Sequence, residues 1–421
     1  MIDTISLLPG ITLRCCRDTR FKQGCLSFQL VRPMDRQEAA LNALLPSVLL
    51  RGTRRCPDLR SITEHLDTLY GASVSPMVRR IGDCQTTGVY CGFMDDRFAL
   101  PGDRVMQPML AFLEEILLDS PLQEEGFLPE FVESEKKNLI STIESERNDK
   151  RVYAMNRMLR IMCREDSFGL PRLGEPEQVA AIRPGELYAH YRRILAQSPV
   201  EIFYVGSAAP GDVAELLLPL ARRLGERRAS LPPQTPFHPC PERDETEVMD
   251  VTQGKLCMGF VTPVTNRHPD FAAMQVLNTL FGAGMTSKLF MNVREKLSLC
   301  YSIGSGYYGT KGIVCVSAGI DFDKEPLTRR EVLAQLEACR AGEISEEELT
   351  GAREALLSSL RATADSPGAI EGYYATAAIS GLAMTPEEYM EAVSRVTAEA
   401  VAAAARELKL HTTYFLKGES Q

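Results

Sequence analysis

A glutamate and a histidine stand next to each other in the segment SITEH, residues 61–65. A helix with the pattern H-x-x-E-H holds zinc through its two histidines and uses the glutamate to polarise a water molecule. Glu64 and His65 fit that pattern, but Ser61 stands in place of the first histidine. Catalytic zinc needs three protein ligands and an open position, which one imidazole and one carboxylate do not provide. We therefore interpret the segment as an amphipathic surface helix with a solvated Glu-His pair.

Composition and charge narrow the classes of function. The 421 residues carry a formal net charge of −9, with a pI near 5.4. The length suits two or three domains, and the negative charge argues against nucleic acids and anionic membrane surfaces as partners. No apolar run approaches the ~20 residues of a membrane span. Twelve scattered cysteines, with no C-x-x-C pattern and no signal peptide ahead of them, indicate free thiols and a cytoplasmic protein.

A proline-rich segment divides the chain. Residues 226–246 combine several prolines with clustered charges, which predicts an extended linker. The predicted domains are 1–225 before the linker and 247–421 after it. Each is expected to have its own core.

The two halves have similar sequence patterns. The strand-like segments GCLSFQLVRP (24–33) and GKLCMGFVTP (254–263) are each followed by a helix. A long charged helix is then predicted around 123–160 and around 346–380, and each half ends with a helix followed by a strand. The predicted fold class is α+β, with two tandem homologous domains, each a mixed or antiparallel sheet covered by helices.

Two further segments carry a resemblance to a known family. ALNALLPSVLLRGTRRCPD (40–58) has the place and the Gly-Thr ending of a zinc-binding segment. LNTLFGAGMTSKLFMNVREKLSLCYSIGSGYYG (277–309) has a Gly-rich turn, then an arginine, then a tyrosine seven residues on. Together with the duplication, these segments resemble the pitrilysin/insulinase family of zinc metallopeptidases over nearly the whole chain. The resemblance implies a two-domain fold that forms half of a clamshell.

The resemblance places the family's zinc site on residues that cannot bind zinc. With Gly52-Thr53 as the anchor, the family's two histidines fall on Ala43 and Ser47, and its catalytic glutamate falls on Pro46. The family's third ligand, seven residues after Glu135, falls on Thr142. Methyl, pyrrolidine and hydroxyl groups do not replace imidazoles and a carboxylate around Zn²⁺. We therefore expect no metal and no cofactor in this chain. Pro46 also predicts a kink or break in its helix.

The second half keeps the family's other motif. The resemblance makes Arg294 and Tyr301 substrate-binding residues, together with Gly282 and Gly284, which would let the backbone turn tightly and approach closely. A guanidinium offers a planar fork of donors to peptide carbonyls, and a phenol can donate to a developing oxyanion. From residue types alone, Arg294 could instead be a surface charge paired with Glu295, and Tyr301 a core residue. The spacing within a matching frame favours the substrate-binding interpretation.

The implied function is that of a non-catalytic subunit. Such a chain would be inactive alone and would lend Arg294 and Tyr301 to a zinc-bearing family member, in a heterodimer that cleaves extended peptides. Pro76, in the first half's corresponding strand, argues against peptide binding there. Within the family, the chain resembles the bacterial subunits termed elongation factor P 5-aminopentanol modification-associated. Two alternatives stay open: a non-enzymatic peptide-binding or scaffold protein, and a stand-alone metallopeptidase with atypical ligands such as His65.

Overall fold

The structure, a computed structural model, describes residues 2–238 and 240–419. Within those residues, no helix combines the length and the apolarity needed to cross a bilayer. The strands are β1 (Ile2–Leu8), β2 (Ile11–Arg17), β3 (Gln23–Pro33), β4 (Ser73–Ile81), β5 (Cys84–Met94), β6 (Leu122–Gln123), β7 (Gly126–Phe127), β8 (Val200–Gly206), β9 (Arg243–Val248), β10 (Gly254–Val261), β11 (Ser302–Tyr308), β12 (Ile313–Ile320) and β13 (Lys409–Lys417).

Helices connect and cover the strands. The α-helices are α1 (Ala39–Leu49), α2 (Leu59–Thr68), α3 (Met106–Leu118), α4 (Pro129–Asn148), α5 (Lys150–Met162), α6 (Pro176–Ala181), α7 (Pro184–Gln197), α8 (Pro210–Leu224), α9 (Phe271–Asn278), α10 (Glu325–Ala341), α11 (Glu346–Ala362), α12 (Pro367–Ser380), α13 (Pro386–Ser394) and α14 (Ala398–Glu407). Thr279–Ala283 and Leu289–Lys296 are π-helical, and short 3-10 turns lie at Asp96–Phe98, Ser167–Gly169, Phe322–Lys324 and Thr363–Asp365.

Unit 1 is the first of two compact units and comprises Met1–Glu144, Pro171–Pro233 and Ala364–Ile379. Its six-stranded sheet has the order β1-β2-β8-β3-β5-β4. Strands β2 and β8 run parallel, while the other neighbours are antiparallel, so the sheet is mixed. Apolar side chains from α1, α3, α7 and α8 pack with those of the sheet into one large core.

Unit 2 comprises Ser145–Leu170, Gln234–Thr363 and Ser380–Gln421. Its five-stranded sheet has the order β11-β12-β10-β13-β9. Here β13 and β9 form the parallel pair, and the remaining neighbours are antiparallel. Each unit is thus a mixed sheet with helices, and in each one a helix leads into the strand that forms the parallel pair. The predicted α+β class is confirmed.

The compact units do not coincide with the two predicted sequential domains, because each half of the chain gives one helical segment to the other unit. Helix α5 belongs to unit 2, where Met158 and Met162 pack with Cys257 and Cys315. Gly259 allows this close approach, since a Cβ there would lie 2.6 Å from the sulfur of Met162. The two long helices predicted from sequence are therefore each divided, into α4 and α5 and into α11 and α12.

Helix α12 is the segment that the C-terminal half gives to unit 1. Its Glu371 has a fully buried carboxylate. Ser27 and Gln29 of β3 donate to that carboxylate over 2.6 and 3.1 Å. Arg79 of β4 holds it with two further hydrogen bonds, of 3.0 and 2.8 Å. This bidentate ion pair fixes the helix on the sheet of unit 1.

The predicted linker is irregular over most of its length but not all of it. Within the described residues, 226–242 forms neither helix nor strand, whereas β9 begins at Arg243, inside the predicted 226–246. Pairing with β13 makes these residues a strand. The buried Lys311 ammonium of unit 2 binds the Asp166 carboxylate at 2.9 Å and the carbonyl of Thr235 at 3.0 Å. Part of the segment is therefore tied to unit 2.

Pro46 does not break its helix, so of the expected kink or break the break does not occur. Helix α1 continues through Pro46, which has no N–H to give to the carbonyl of Asn42 one turn earlier. The hydroxyl of Thr87, on the neighbouring strand β5, donates to that carbonyl over 2.6 Å. A side chain from the sheet thus replaces the missing helical hydrogen bond.

Candidate functional site

The Arg-Tyr motif lies at the entry to an edge strand of unit 2. The π-helical segment Leu289–Lys296 carries Arg294 on its last turn. Ser298 then adopts the left-handed region at φ +50°, which reverses the chain toward β11. Strand β11 forms one edge of the five-stranded sheet, and Tyr301 immediately precedes it. The π-helical turn and the reversal together bring the two ends of the seven-residue spacing next to each other.

Arg294 contacts the main chain of Tyr301. Its Nε donates to the Tyr301 carbonyl over 3.0 Å, and its guanidinium carbon lies 4.6 Å from the centre of the Phe290 ring. One terminal nitrogen, Nη1, is 3.2 Å from the carboxylate of Glu295. The surface pairing with Glu295 is therefore real, but it leaves Nη2 without a protein acceptor among the described residues. A guanidinium held on two sides in this way has a fixed direction for its remaining donors.

Tyr301 is a surface residue, contrary to the core interpretation. Its side chain is 60% exposed, and its hydroxyl donates to Oδ1 of Asp321 over 2.8 Å. That hydrogen bond raises the pKa of Tyr301 above its ordinary value, so the phenol stays protonated. Lys324, 2.9 Å from Asp321, and the Tyr301 hydroxyl both lower the pKa of that carboxyl. The hydroxyl can reach an external acceptor only by leaving Asp321.

The two glycines of the turn differ in what the structure requires of them. At Gly282, a Cβ would lie 2.6 Å from the hydroxyl of Ser305 and 2.9 Å from Leu289, so this position has no room for a side chain. Gly284 has an extended backbone, with φ −134°, and the nearest atom to a Cβ there would be 4.0 Å away. The expected close approach therefore exists at Gly282 but not at Gly284.

The positions that correspond to the family's zinc ligands form no metal site in the described residues. Ala43 and Pro46 lie on α1 and are buried, and Ser47 on the same helix is half-buried. Thr142 is exposed on α4, where its hydroxyl donates to the carbonyl of Asn138 over 2.9 Å. Residues 2–238 and 240–419 contain no group of three or more histidine, cysteine, aspartate or glutamate side chains arranged to hold a metal ion.

A buried polar cluster next to Ala43 is not apparent from the sequence. The side-chain nitrogen of Asn42 donates to Gln85 over 2.9 Å, so its oxygen is free to accept from Nε2 of His190 at 2.7 Å. Arg193 donates to the other ring nitrogen of His190 over 2.9 Å. Burial lowers the pKa of His190 to about 4, which keeps the imidazole neutral. Asparagine within the apolar segment ALNALL was the one signal that a buried partner existed.

The SITEH helix is a structural element, but its histidine is not a solvated side chain. Asp58 and Ser61 cap the start of α2 in a reciprocal pair of hydrogen bonds. His65 packs edge-on against Phe112 with ring centres 4.6 Å apart, and burial is the main cause of its lowered pKa. Glu64 pairs instead with Arg60, 2.8 Å away on the surface. The expected Glu-His pair therefore does not exist.

Comparisons with known proteins agree with this geometry. Residues 181–356 match the sequence model of the family described as the peptidase M16 inactive domain. The probable inactive metalloprotease YmfF of Bacillus subtilis (strain 168) is 27% identical over 409 residues, which cover 97% of this chain and 96% of that protein.

Solved structures extend the match to the complete fold. A crystal structure of a conserved protein from Enterococcus faecalis V583 superposes with a TM-score of 0.91 and 26% identity, covering 100% of this chain and 99% of the other. The peptidase M16 inactive domain from Pseudomonas fluorescens superposes with a TM-score of 0.82 at 17% identity, covering 100% and 98% of the two chains. The fold is therefore that of an M16 peptidase. In sequence over residues 181–356, and in fold over the whole chain, this protein is similar to the pitrilysin/insulinase family of zinc metallopeptidases, and in particular to relatives of the inactive type.

Proposed function

We propose that this chain is the non-catalytic subunit of a heteromeric insulinase-type zinc peptidase. It supplies Arg294, Tyr301 and part of the substrate chamber wall, while a family member with an intact H-x-x-E-H supplies the zinc. The observation that carries the proposal is the anchoring of Arg294 on the carbonyl of an exposed Tyr301. The anchoring fixes the direction of the remaining guanidinium donors, which a substrate carbonyl could then accept from.

The chemistry assigned to the pair follows from its donors. Nη2 of Arg294 is available to a carbonyl oxygen of a bound peptide. The Tyr301 hydroxyl, once released from Asp321, could donate to an oxyanion that develops on the peptide carbonyl. The partner's zinc would supply the activation of water. Peptide is not expected on β4, the free edge of the sheet in unit 1, because Pro76 lacks an N–H to pair with it.

The test is reconstitution with the zinc-bearing family member encoded in the same genome. The purified full-length chains are mixed, their association is measured by light scattering, and cleavage of a fluorescence-quenched unstructured peptide is followed. Arg294→Ala is expected to lower kcat/KM by about 100-fold, the usual order of effect for loss of one oxyanion donor. The matched control is Lys296→Ala, an exposed cation two residues further on. Unchanged cleavage by an intact complex with Arg294→Ala refutes the role of the pair.

A non-enzymatic peptide-binding or scaffold protein is the second candidate. The bond between the Tyr301 hydroxyl and Asp321 favours it, because in this state the phenol serves the chain's own structure. In that case the two chains associate, or a peptide binds, but cleavage does not depend on Arg294.

The third candidate, a stand-alone metallopeptidase, requires stoichiometric zinc that a chelator removes from the purified chain. We also place the protein in the cytoplasm, on the strength of its many free cysteines.

A further inference from the structure

Unit 2 contains a small polar cavity that the proposed function does not use. Its volume is about 100 Å³, which is room for roughly three water molecules at ~30 Å³ each, or for one carboxylate or phosphate group. The walls come from the loop after β10, the turn between β11 and β12, the segment before β9, and Ser380, the last residue of α12, which belongs to unit 2. The lining residues are Thr265, Asn266, Arg267, Gly309, Thr310, Ser380, Gln234 and Pro236.

Arg267 brings a positive charge that the protein does not neutralise. Within the described residues it makes no ion pair or hydrogen bond. The nearest acid along the chain is Asp270, and its carboxylate is directed to Nδ1 of His268. The same ring nitrogen accepts from the main-chain N–H of Asp270 over 3.1 Å. Lys311 also lies close in sequence to the cavity wall, but Asp166 neutralises its ammonium. The guanidinium of Arg267 is thus an exposed positive charge at the wall of the cavity.

Packing rather than an ion pair holds the Arg267 side chain. Gly381 has φ +77°, and a Cβ at that position would lie 2.5 Å from Nε and 2.7 Å from Nη2 of Arg267. The guanidinium therefore rests directly against the main chain at Gly381. A planar donor group fixed in this way can bind the two oxygens of one anion with little loss of side-chain freedom.

Two further polar side chains line the same cavity. Ser380 is only 2% exposed, and among residues 2–238 and 240–419 its hydroxyl finds no hydrogen-bond partner. A buried hydroxyl without a partner carries an unrecovered desolvation cost, which a bound acceptor removes. The side-chain oxygen of Asn266 faces Gly309, where a Cβ would come within 2.0 Å of it. The amide nitrogen of Asn266 is therefore the group left to donate.

We propose that this cavity is a binding site for a small oxyanion, a carboxylate or a phosphate group. Arg267 supplies the charge and a bidentate pair of donors, and Ser380 and Asn266 supply neutral donors. The acidic chain as a whole repels anions, so affinity at this point depends on the built cavity. The site contains neither Arg294 nor Tyr301, and it stands whichever way the peptidase-subunit role is decided.

The test measures binding of two probes to the full-length chain by titration calorimetry, at constant ionic strength set with chloride. Inorganic phosphate is one probe; a short neutral peptide with a free C-terminal carboxylate, compared with its C-terminal amide, is the other. We expect saturable binding of one of the two probes. Binding of phosphate identifies a phosphate site, and binding of the free-acid peptide but not its amide identifies a carboxylate site. Arg267→Ala is expected to weaken it about tenfold or more, the effect of losing one charge-assisted contact.

Two further variants make the result specific. Arg330→Ala removes another exposed guanidinium of unit 2 and should leave the affinity unchanged. Ser380→Ala should weaken binding without lowering the melting temperature, since its hydroxyl has no partner to lose. The proposal is overturned if neither probe binds, or if Arg267→Ala and Arg330→Ala weaken binding equally, since the second result means diffuse attraction alone.

Discussion

Thr87→Val tests how the helix that contains Pro46 is kept intact. The hydroxyl of Thr87 donates to the Asn42 carbonyl over 2.6 Å, and both residues are fully buried. Valine has the same shape as threonine but leaves that carbonyl without a partner. A buried acceptor left unpaired costs about 1–3 kcal/mol, so we expect a loss of about 2 kcal/mol in the free energy of opening of α1.

The adjacent Thr86 provides a matched control. It is equally buried, but within the described residues its hydroxyl has no hydrogen-bond partner. Thr86→Val therefore removes an unpaired polar group and should leave the stability unchanged or slightly higher. Both substitutions make the same chemical change in neighbouring residues of one strand, whose side chains face opposite sides of the sheet. A loss of stability with Thr87→Val alone is therefore attributed to its hydrogen bond and not to the change from threonine to valine.

Pro46→Ala completes the test. Alanine restores an N–H that can donate to the Asn42 carbonyl, so the Thr87 hydroxyl becomes dispensable. Thr87→Val should then cost less in the Pro46→Ala background than in the natural chain, while the lost proline packing cancels from the double-mutant cycle. Hydrogen exchange of peptides covering 39–49 measures the opening free energy directly, and the absence of tryptophan makes it preferable to fluorescence. Equal costs in both backgrounds refute the compensation.

Three further predictions concern acid, a buried charge and metal. His190 stays neutral in the folded chain with a pKa of about 4, whereas the unfolded chain binds the proton near 6.5, so acidification from pH 6.5 to 4 should remove ~3 kcal/mol of stability. His190→Gln, which does not titrate, should flatten the urea midpoint over that range; an unchanged slope contradicts the assignment. Glu371→Ala leaves the donors of Arg79 and Ser27 unpaired and leaves Gln29 only its hydrogen bond to Ser27, and because Arg79 is 30% exposed we expect the low end of the usual range, about 3 kcal/mol. Hydrogen exchange should accelerate in unit 1 and not in unit 2. A chelator should leave the melting temperature unchanged, and a fall would reveal a metal site.

Periodicity and turn signals were sufficient to locate many of the elements. The segment 24–33 lies within β3, and 254–263 contains β10, because runs of apolar residues between glycine and proline need little tertiary context. Arg294 and Tyr301 could be connected at the sequence level only through the family resemblance, which rests on their seven-residue spacing after a glycine-rich turn. Their contact is made through a main-chain carbonyl, which every residue has, so the residue types alone could not predict it.

Other features depended on partners far away in the chain. The continuity of α1 relies on Thr87, 41 positions after Pro46, and no local rule connects the two. His65 looked solvated because its own helix is polar, yet Phe112 of another helix covers its edge. The division of the long helix before Lys150 is signalled by Asp149, which caps α5. Which sheet α5 then packs on is a question of complementary surfaces, and amphipathic spacing alone does not answer it.

The exchange of helical segments has a consequence for biosynthesis. Unit 1 is completed by residues up to Ile379, and unit 2 draws on the chain from Ser145 to its last strand. During translation, the first sheet therefore leaves the ribosome without the helix that carries Glu371, and the side chains of β3 and β4 that hold this carboxylate lack it until most of the second half has followed. Unit 1 can reach its complete structure only late in synthesis, although most of its segments are made first. Termination before Ile379 leaves both units incomplete.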